Sequence, residues 1–330
     1  DLMTIAIAFA LVGAAYSVLG GLRAVAVSDT YGGVLVLLMG LVIVVLSLMA
    51  IDFDFSGIPA ERLTLIGDSA SPVPWHTLLT GMFLIQIFYW STNQTITQRA
   101  MAAPTVKEAQ KGVYAAAFIR VIFIPSMVVI PGIVAFKLYG DIGDQAYGRI
   151  VGDLLPSWLS GVFAAAIAAA VLSSFNSMVN SSAAMYVCDL HERYIDEKPN
   201  VRLLSGIATW VFVLIAVAMV PVYAQSDSII NLLQELWGLI SMPILACFAV
   251  GLLFKNVDYR AAIAAVIFGV LMYACFIWIW MPLHYIHMMF FTFFICVGLA
   301  LSINRLVFGN RAEFIGLNSS DEKPADLSAA

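Results

Sequence analysis

The chain has 330 residues, of which 62% are hydrophobic and only 11% are charged, and its mean hydropathy is +0.95. Soluble domains are about 25% charged, so this composition excludes a soluble globular protein and predicts a protein embedded in the lipid bilayer. The net charge of −5 is small and spread along the chain, which argues against nucleic acid as a partner. The four cysteines are scattered singly, and we expect them to be reduced packing residues.

Nine segments are apolar enough to be membrane spans, because a helix needs about 20 predominantly apolar residues to cross a bilayer. In chain order they are Leu2–Leu19, Tyr31–Ile51, Trp75–Trp90, Val113–Leu138, Trp158–Val187, Leu203–Tyr223, Leu236–Phe254, Ala261–Met281 and Ile286–Phe308. We therefore expect an all-α integral membrane domain over residues 1–308 and a loose polar tail over residues 309–330. Because Asp1 leads directly into the first span, we also expect the chain to be cut from a longer protein.

The orientation in the membrane follows from the positive charges of the loops. Twelve of the 16 lysines and arginines fall in loops on one side of the predicted spans, three on the other, and Arg120 within a span. Positive loops face the cytoplasm. We therefore expect a cytoplasmic C-terminus and an outside start to the first span.

The third predicted span is short and runs into polar residues at FYWSTNQTITQR, from Phe88 to Arg99. Short spans of this kind are typical of the discontinuous helices of secondary transporters, which bind their solute near the bilayer midplane. An interfacial aromatic belt would equally explain Tyr89 and Trp90, but it does not explain Gln86 within the apolar part. Both interpretations stay open.

The fourth span contains Arg120. Thr105 and Glu108 have the spacing of a capping box, which would start the helix there. Arg120 would then lie roughly 22 Å along the axis, where a charge costs at least about 3 kcal/mol. A functional site is one explanation, and a structural ion pair with Glu235 or Asp29 is the other.

The fifth span contains AAAVLSSFNSMVNSSA, in which Ser173, Ser177 and Ser181 recur every four residues on one helical face. Such a face allows close packing of helices, which is the simpler explanation. A cation site is the alternative, because hard cations bind several oxygen ligands. The hydroxyls of Ser173 and Ser174 and the carbonyl of Ala170 could supply three.

The remaining polar features are less informative. Gln234 and Glu235 lie at the outer edge of the seventh span, where an exposed polar residue is ordinary. His191, His284 and His287 lie at span ends without the clustered partners that a metal site needs. Catalytic signatures and phosphate-binding glycine loops are absent from the sequence, so we expect neither an enzyme nor a cofactor.

Four segments, in order along the chain, resemble the sodium:solute symporter family, especially its sodium–galactose/glucose cotransporter branch. YSVLGGLRAVAVSDT, with its Gly-Gly-Leu-x-Ala turn at Gly20–Ala24, resembles the family signature. YWSTNQTITQRAMAAPTVKEAQKG is similar to the sixth core helix and the loop that follows it. AAAVLSSFNSMVNSSA and LLQELWGLISMPILACFAVGLLFKN are similar to core helices eight and ten.

The resemblance implies a LeuT-type inverted-repeat fold, in which the nine spans would be core helices four to twelve and the first three would be missing. It implies sodium-coupled secondary active uptake by alternating access at the plasma membrane. Sodium would be the coupling ion, and the solute would be a small polar molecule, foremost a sugar such as galactose or glucose.

The resemblance also assigns roles to particular residues. The implied sodium ligands are Ala170, Ser173 and Ser174, with Asp29 on the ion's exit path; the implied solute residues are Gln86, Tyr89, Trp90, Arg120 and Gln234. Arg120 replaces a usual lysine and Gln86 a usual asparagine, which leaves room for a uronate or another acidic or differently sized solute. An inositol, an amino acid or a carboxylate stays open too, since the family shares one scaffold. A transporter-like membrane sensor domain and an inactive fragment are further alternatives.

Overall fold

The structure is a computed structural model that describes residues 2–64, 66–69, 71, 73–225 and 229–316; residues 21–25, 230 and 231 are described by their backbone alone. Nearly all of this part is helical. The α-helices are α1 (Leu2–Ala50), α2 (Gly81–Ser91), α3 (Gln94–Met101), α4 (Val106–Tyr139), α5 (Ala146–Leu154), α6 (Ser157–Ala184), α7 (Glu192–Tyr194), α8 (Val201–Ala224), α9 (Ile229–Leu253), α10 (Tyr259–Trp278) and α11 (Tyr285–Leu306). A π-helical turn, Met185–His191, joins α6 to α7.

Eight helical segments within the described residues are long and apolar enough to cross a membrane. They confirm eight of the nine predicted spans and make the chain a multi-pass membrane protein. The predicted turn at Gly20–Ala24 is wrong, because the helical backbone of α1 continues through it. The 49 residues of α1 nevertheless contain two separate candidate spans, Leu2–Gly20 and Ala26–Ala50.

The remaining predicted span, Trp75–Trp90, which is the third along the chain, is a broken helix. A 3₁₀ helix over Trp75–Leu79 precedes the short α2. At the other end of α2, the hydroxyl of Thr92 donates to the carbonyl of Phe88 at 3.1 Å, which satisfies a terminal helix group. The side chain of Asn93 then accepts from the amide of Thr95 at 2.9 Å and caps α3. These local polar contacts confirm the predicted discontinuity.

The chain divides into two compact units, Asp1–Leu65 with Thr97–Ser228, and Ile66–Ile96 with Ile229–Ala330. In the first unit, α1 packs along α4, α6 and α8. Gly13 permits the close approach of α1 to α6, because a Cβ atom there would lie 2.6 Å from the ring of Phe175. One apolar cluster of this unit is centred on Ile43, Val134 and Ile150.

In the second unit, α9, α10 and α11 pack on one another, and α2 packs against α9 and α11. Its core is centred on Tyr273, Met242 and Met289, all fully buried. Part of the tail predicted to be loose is ordered. A short strand, β1 (Phe254–Lys255), pairs antiparallel with β2 (Glu313–Phe314), because the rings of Phe254 and Phe314 pack 5.4 Å apart. The tail from residue 317 lies outside the described residues.

Candidate functional site

A polar cluster in the first unit surrounds Asp29 of α1. The hydroxyl of Ser173 on α6 donates to Asp29 Oδ1, and Arg99 Nη2 on α3 donates to Asp29 Oδ2. Arg99 also donates to the hydroxyl oxygen of Ser177, which lies 3.3 Å from Asp29 Oδ2. Both carboxylate oxygens of Asp29 therefore have donors, and three helices meet at one charged group.

The Asp29–Arg99 ion pair is partly buried and borders a cavity. The side chain of Asp29 is 18% exposed and that of Arg99 is 33% exposed. Charge-assisted hydrogen bonds of this kind are stronger than bonds between neutral groups. A cavity of about 350 Å³ is lined by Ala26, Asp29, Thr30, Arg99 and Ala102. A hydrated cation therefore has room beside the carboxylate.

The predicted serine face of α6 binds polar side chains of α1 and α3. Ser177 and Ser181 are buried on this face. The hydroxyl of Ser181 donates to Gln98 Oε1 at 2.9 Å, and that of Ser177 lies 2.7 Å from the carbonyl oxygen of Ser173. Hydrogen bonds of hydroxyl groups across helices also belong to the close-packing explanation. The contacts of Ser173 and Ser177 with Asp29 bring two of these hydroxyl groups to a charged side chain.

Two of the residues expected to bind or release sodium, Ser173 and Asp29, are in contact. The partly buried hydroxyl of Ser173 binds Asp29, so the residue expected on the exit path touches a residue expected to be a ligand. Ala170, one turn earlier on α6, is partly buried, whereas Ser174 is exposed. Successive helical residues point about 100° apart, which accounts for the difference between the adjacent serines.

Three of the expected solute residues lie in aromatic or polar contacts of the second unit. The ring of Tyr89 lies 5.6 Å from that of Trp90 and 6.1 Å from that of Trp237 on α9. The hydroxyl of Tyr285 donates to Gln234 Oε1 at 3.3 Å. Gln86, the fourth expected solute residue on this unit, is exposed on α2.

Arg120 lies on α4 in the first unit and is exposed. The predicted helix start is confirmed, because Thr105 Oγ1 accepts from the amide of Glu108 at 3.2 Å. The carboxylate of Glu108 binds Lys111 Nζ at 2.8 Å. Asp29, one of the two partners suggested for Arg120, is bound by Arg99.

Sequence reasoning missed two features of the structure. Arg99 entered it only as a loop charge, although it binds Asp29. The second feature is a histidine pair: His76 Nδ1 lies 2.8 Å from His287 Nε2, and Thr80 Oγ1 lies 2.9 Å from His287 Nδ1. The two histidines are 211 residues apart, so no local pattern could pair them. Within the described residues, no group of three potential ligands could hold a metal ion.

Comparisons with known proteins identify the family and the fold. The model of the sodium:solute symporter family matches residues 1–269. An uncharacterized symporter of Escherichia coli strain K12, YidK, is 30% identical over 89% of this chain and 54% of its own length. A sodium/glucose cotransporter of Vibrio parahaemolyticus is 32% identical over 78% of this chain and 53% of its own length.

Two further matches extend the comparison. The mouse sodium/myo-inositol cotransporter 2 is 25% identical over 82% of this chain and 47% of its own length. The chain thus spans about half the length of the curated relatives it matches. A solved structure of a Na⁺-coupled sialic acid symporter, in a substrate-bound outward-open state, has a TM-score of 0.76 at 18% identity and covers 93% of this chain and 67% of its own. That likeness confirms the predicted LeuT-type fold.

Proposed function

Because the chain belongs to the sodium:solute symporter family, we propose that it takes part in sodium-coupled uptake of a small polar solute by alternating access. The observation that carries this proposal is the contact between Ser173 and Asp29 beside a cavity. An acidic group and a hydroxyl group, both of which can bind a cation, lie together on α1 and α6 at that cavity. The plasma membrane is the proposed location, with the C-terminus in the cytoplasm, because most loop lysines and arginines fall on that side.

In this proposal, sodium binds the carbonyl oxygen of Ala170 and the hydroxyls of Ser173 and Ser174, since hard cations prefer oxygen ligands. Asp29 supplies the negative charge next to that position. Arg99 competes with the cation for the same carboxylate, because its guanidinium already binds Asp29 Oδ2. Departure of sodium along Asp29 would therefore leave a carboxylate whose charge is balanced by Arg99.

Coupling requires that sodium bind more tightly to the conformation that also binds solute. A ligand with equal affinity for two states shifts no equilibrium, however tightly it binds. The contacts of Asp29 and Ser173 join α1 to α6, so the bound ion would act on how these two helices pack. The occupied site would then favour the solute-binding state.

The proposed solute is polyhydroxylated, with galactose and glucose as the first candidates. The names of relatives and neighbours mention glucose, myo-inositol and sialic acid, which all carry several hydroxyl groups. The rings of Tyr89, Trp90 and Trp237 provide the flat apolar surface on which a sugar ring stacks. Gln86 and Gln234 supply amide groups for hydroxyls.

An acidic sugar is the second candidate, and Arg120 favours it. A guanidinium group presents a planar fork of donors that matches a carboxylate, whereas the lysine usual at this position is a point charge. Under this candidate, Arg120→Lys should weaken uptake of an acidic solute more than that of a neutral one.

The test is uptake of labelled galactose, glucose, myo-inositol and glucuronate by cells that express the protein at full length. Each solute is measured with sodium and with choline in its place. We expect sodium-dependent uptake of at least one solute, and its loss in Gln234→Ala. Sodium-dependent uptake of glucuronate alone would select the acidic candidate, and uptake that ignores the replacement by choline would contradict sodium coupling.

A further inference from the structure

A small apolar cavity in the second unit contains one carboxyl group. The cavity has a volume of about 40 Å³. Its lining consists of Leu232, Glu235, Leu236 and Leu239 of α9 and Tyr273, Ala274, Ile277 and Trp278 of α10. Glu235 and Tyr273 bring the carboxyl and hydroxyl groups of this lining, and hydrocarbon and one indole ring form the rest.

The hydroxyl of Tyr273 has no hydrogen-bond partner among the described residues, although the side chain is fully buried. Buried hydroxyls are almost always hydrogen-bonded, so an orphan of this kind indicates a ligand or an ordered water. The neighbouring Gly238 leaves space for the hydroxyl, because a Cβ atom there would overlap it. The sequence therefore accommodates a polar group in an otherwise apolar place.

Glu235 lies in the first turn of the candidate span Leu232–Leu253, close to its boundary. None of the ion pairs within the described part of the chain includes Glu235. On the helices packed against α9, Tyr273 of α10 and Tyr285 of α11 interact electrostatically with Glu235, and Tyr89 of α2 packs near Trp237. The other titratable groups of these helices are Tyr259, Arg260 and Cys275 on α10 and His287, Cys296 and Arg305 on α11. The ring of His287 contacts His76 and Thr80. A carboxylate without a cation in such surroundings favours its neutral form.

We propose that Glu235 is a proton-binding site, in which the carboxyl group holds an exchangeable proton and hydrogen-bonds to Tyr273 through one water in the cavity. The volume suffices, since a water needs about 10–15 Å³ of such space. That water would satisfy the orphan hydroxyl and would receive the carboxyl proton as a hydrogen bond. Proton exchange with the solvent would proceed through the nearby span boundary.

The proton would bear on solute binding through the neighbouring residue. Gln234, a proposed solute residue, receives a hydrogen bond from Tyr285, and a charge on Glu235 would act on the hydroxyls of both Tyr285 and Tyr273. Loss of the proton would therefore disturb the Gln234–Tyr285 contact. This consequence rests on the proposed function, whereas the presence of the proton does not.

Infrared spectroscopy of the purified full-length protein tests whether Glu235 is protonated and does not depend on transport. Ordinary glutamic acids have a pKa of about 4.3 and are ionised at neutral pH. We expect a protonated-carboxyl band at neutral pH that Glu235→Gln removes and that the exposed control Glu192→Gln retains. A spectrum without the band, or a band that persists in Glu235→Gln, would overturn the proposal. If Glu235→Gln fails to fold, Tyr273→Phe must shift the band; an unshifted band overturns the proposal too.

Solute affinity at fixed sodium concentration measures the consequence separately. We expect it to fall by about five- to tenfold, a usual size for coupling between two sites, as the proton is lost at alkaline pH. Glu235→Gln should abolish that dependence, and Glu192→Gln should leave it intact. An infrared band without sodium-dependent uptake would defeat the proposed function alone, whereas uptake without the band would defeat the proton site alone.

Discussion

Two carboxyl groups on membrane helices, Asp29 in the first unit and Glu235 in the second, have opposite surroundings. Asp29 receives hydrogen bonds from Ser173 and Arg99 and borders a cavity of about 350 Å³. Glu235 borders a cavity of about 40 Å³ whose walls are almost wholly apolar. Asp29 thus has a cationic partner and hydroxyl donors, whereas Glu235 has neither an ion pair among the described residues nor a polar wall beyond Tyr273.

The surroundings of each carboxyl group determine which ion it can exchange. A carboxylate that already binds a guanidinium can exchange it for another cation, but the guanidinium then loses its countercharge. Glu235 is partly buried and belongs to no ion pair of the described residues, so binding a proton would remove its charge. The two sites would therefore respond to different ions, sodium at one and protons at the other.

Removal of the Asp29 carboxylate should have the largest effect, on both stability and uptake. Asp29→Ala leaves Arg99 partly buried with its countercharge lost, and we expect a loss of about 1–3 kcal/mol of unfolding free energy, since the pair is only partly buried. Sodium-dependent uptake should also disappear. Thermal unfolding in detergent and uptake measured in parallel would check both.

A double-mutant cycle with Arg99→Gln measures the interaction energy between the Asp29 and Arg99 side chains. If the two groups act as one pair, the combined variant should lose less stability than the sum of the single losses, by about 0.5–3 kcal/mol. Strict additivity would show that Asp29 and Arg99 act independently.

Filling the space beside the second site should have the next largest effect. In Gly238→Ala the new methyl group would overlap the Tyr273 hydroxyl, and overpacking of this kind costs about 1–3 kcal/mol. Adding Tyr273→Phe removes the overlapping oxygen and should restore part of the stability. Thermal unfolding of both variants tests this. An equal loss in the single and the double variant would place the strain at Met289 Cε or at the ring carbon Cζ of residue 273, both 2.6 Å from the new Cβ atom.

The sequence predicted these two sites unequally. Hydropathy predicted nine spans, eight of which are candidate membrane helices in the described residues, and the polar run after Trp90 favoured a discontinuous helix as one of two interpretations. Both signals depend on local composition. The serine spacing predicted one face of α6 from helical geometry alone. The pairing of Asp29 with Arg99, 70 residues away, and of His76 with His287 depends on tertiary packing, which a single sequence does not display.

The adjacent serines Ser173 and Ser174 allow a sharper test of the first site. Ser174 is exposed, so Ser174→Ala should change the unfolding free energy by less than about 0.5 kcal/mol, as surface substitutions usually do. Its affinity for sodium, measured from the sodium dependence of uptake, should nevertheless fall strongly. Ser182→Ala, on the same helix, is the matched control. Unchanged sodium affinity in Ser174→Ala would remove this residue from the ion site.

Asp54, in the loop after α1, extends the comparison to a fully solvated carboxylate. Hydrogen bonds from the Ser56 hydroxyl and amide, with a further one from Lys137, lower the pKa of Asp54 from 3.8 to about 2. A carboxyl group with a depressed folded-state pKa stabilises the fold above its unfolded pKa and loses that contribution as the pH falls through the folded value. The contribution of Asp54 should therefore vanish between pH 3.8 and about pH 2.

The expected effect is the smallest of the four, because solvent screens an exposed carboxylate. Asp54→Asn should flatten the acid dependence of the unfolding temperature in that interval, and Ser56→Ala should move the transition toward higher pH by removing the strongest hydrogen bond. Asp144→Asn, at another exposed loop position, should change neither. A parent and an Asp54→Asn variant with the same acid dependence would mean that hydrogen bonds to an exposed carboxylate contribute nothing here.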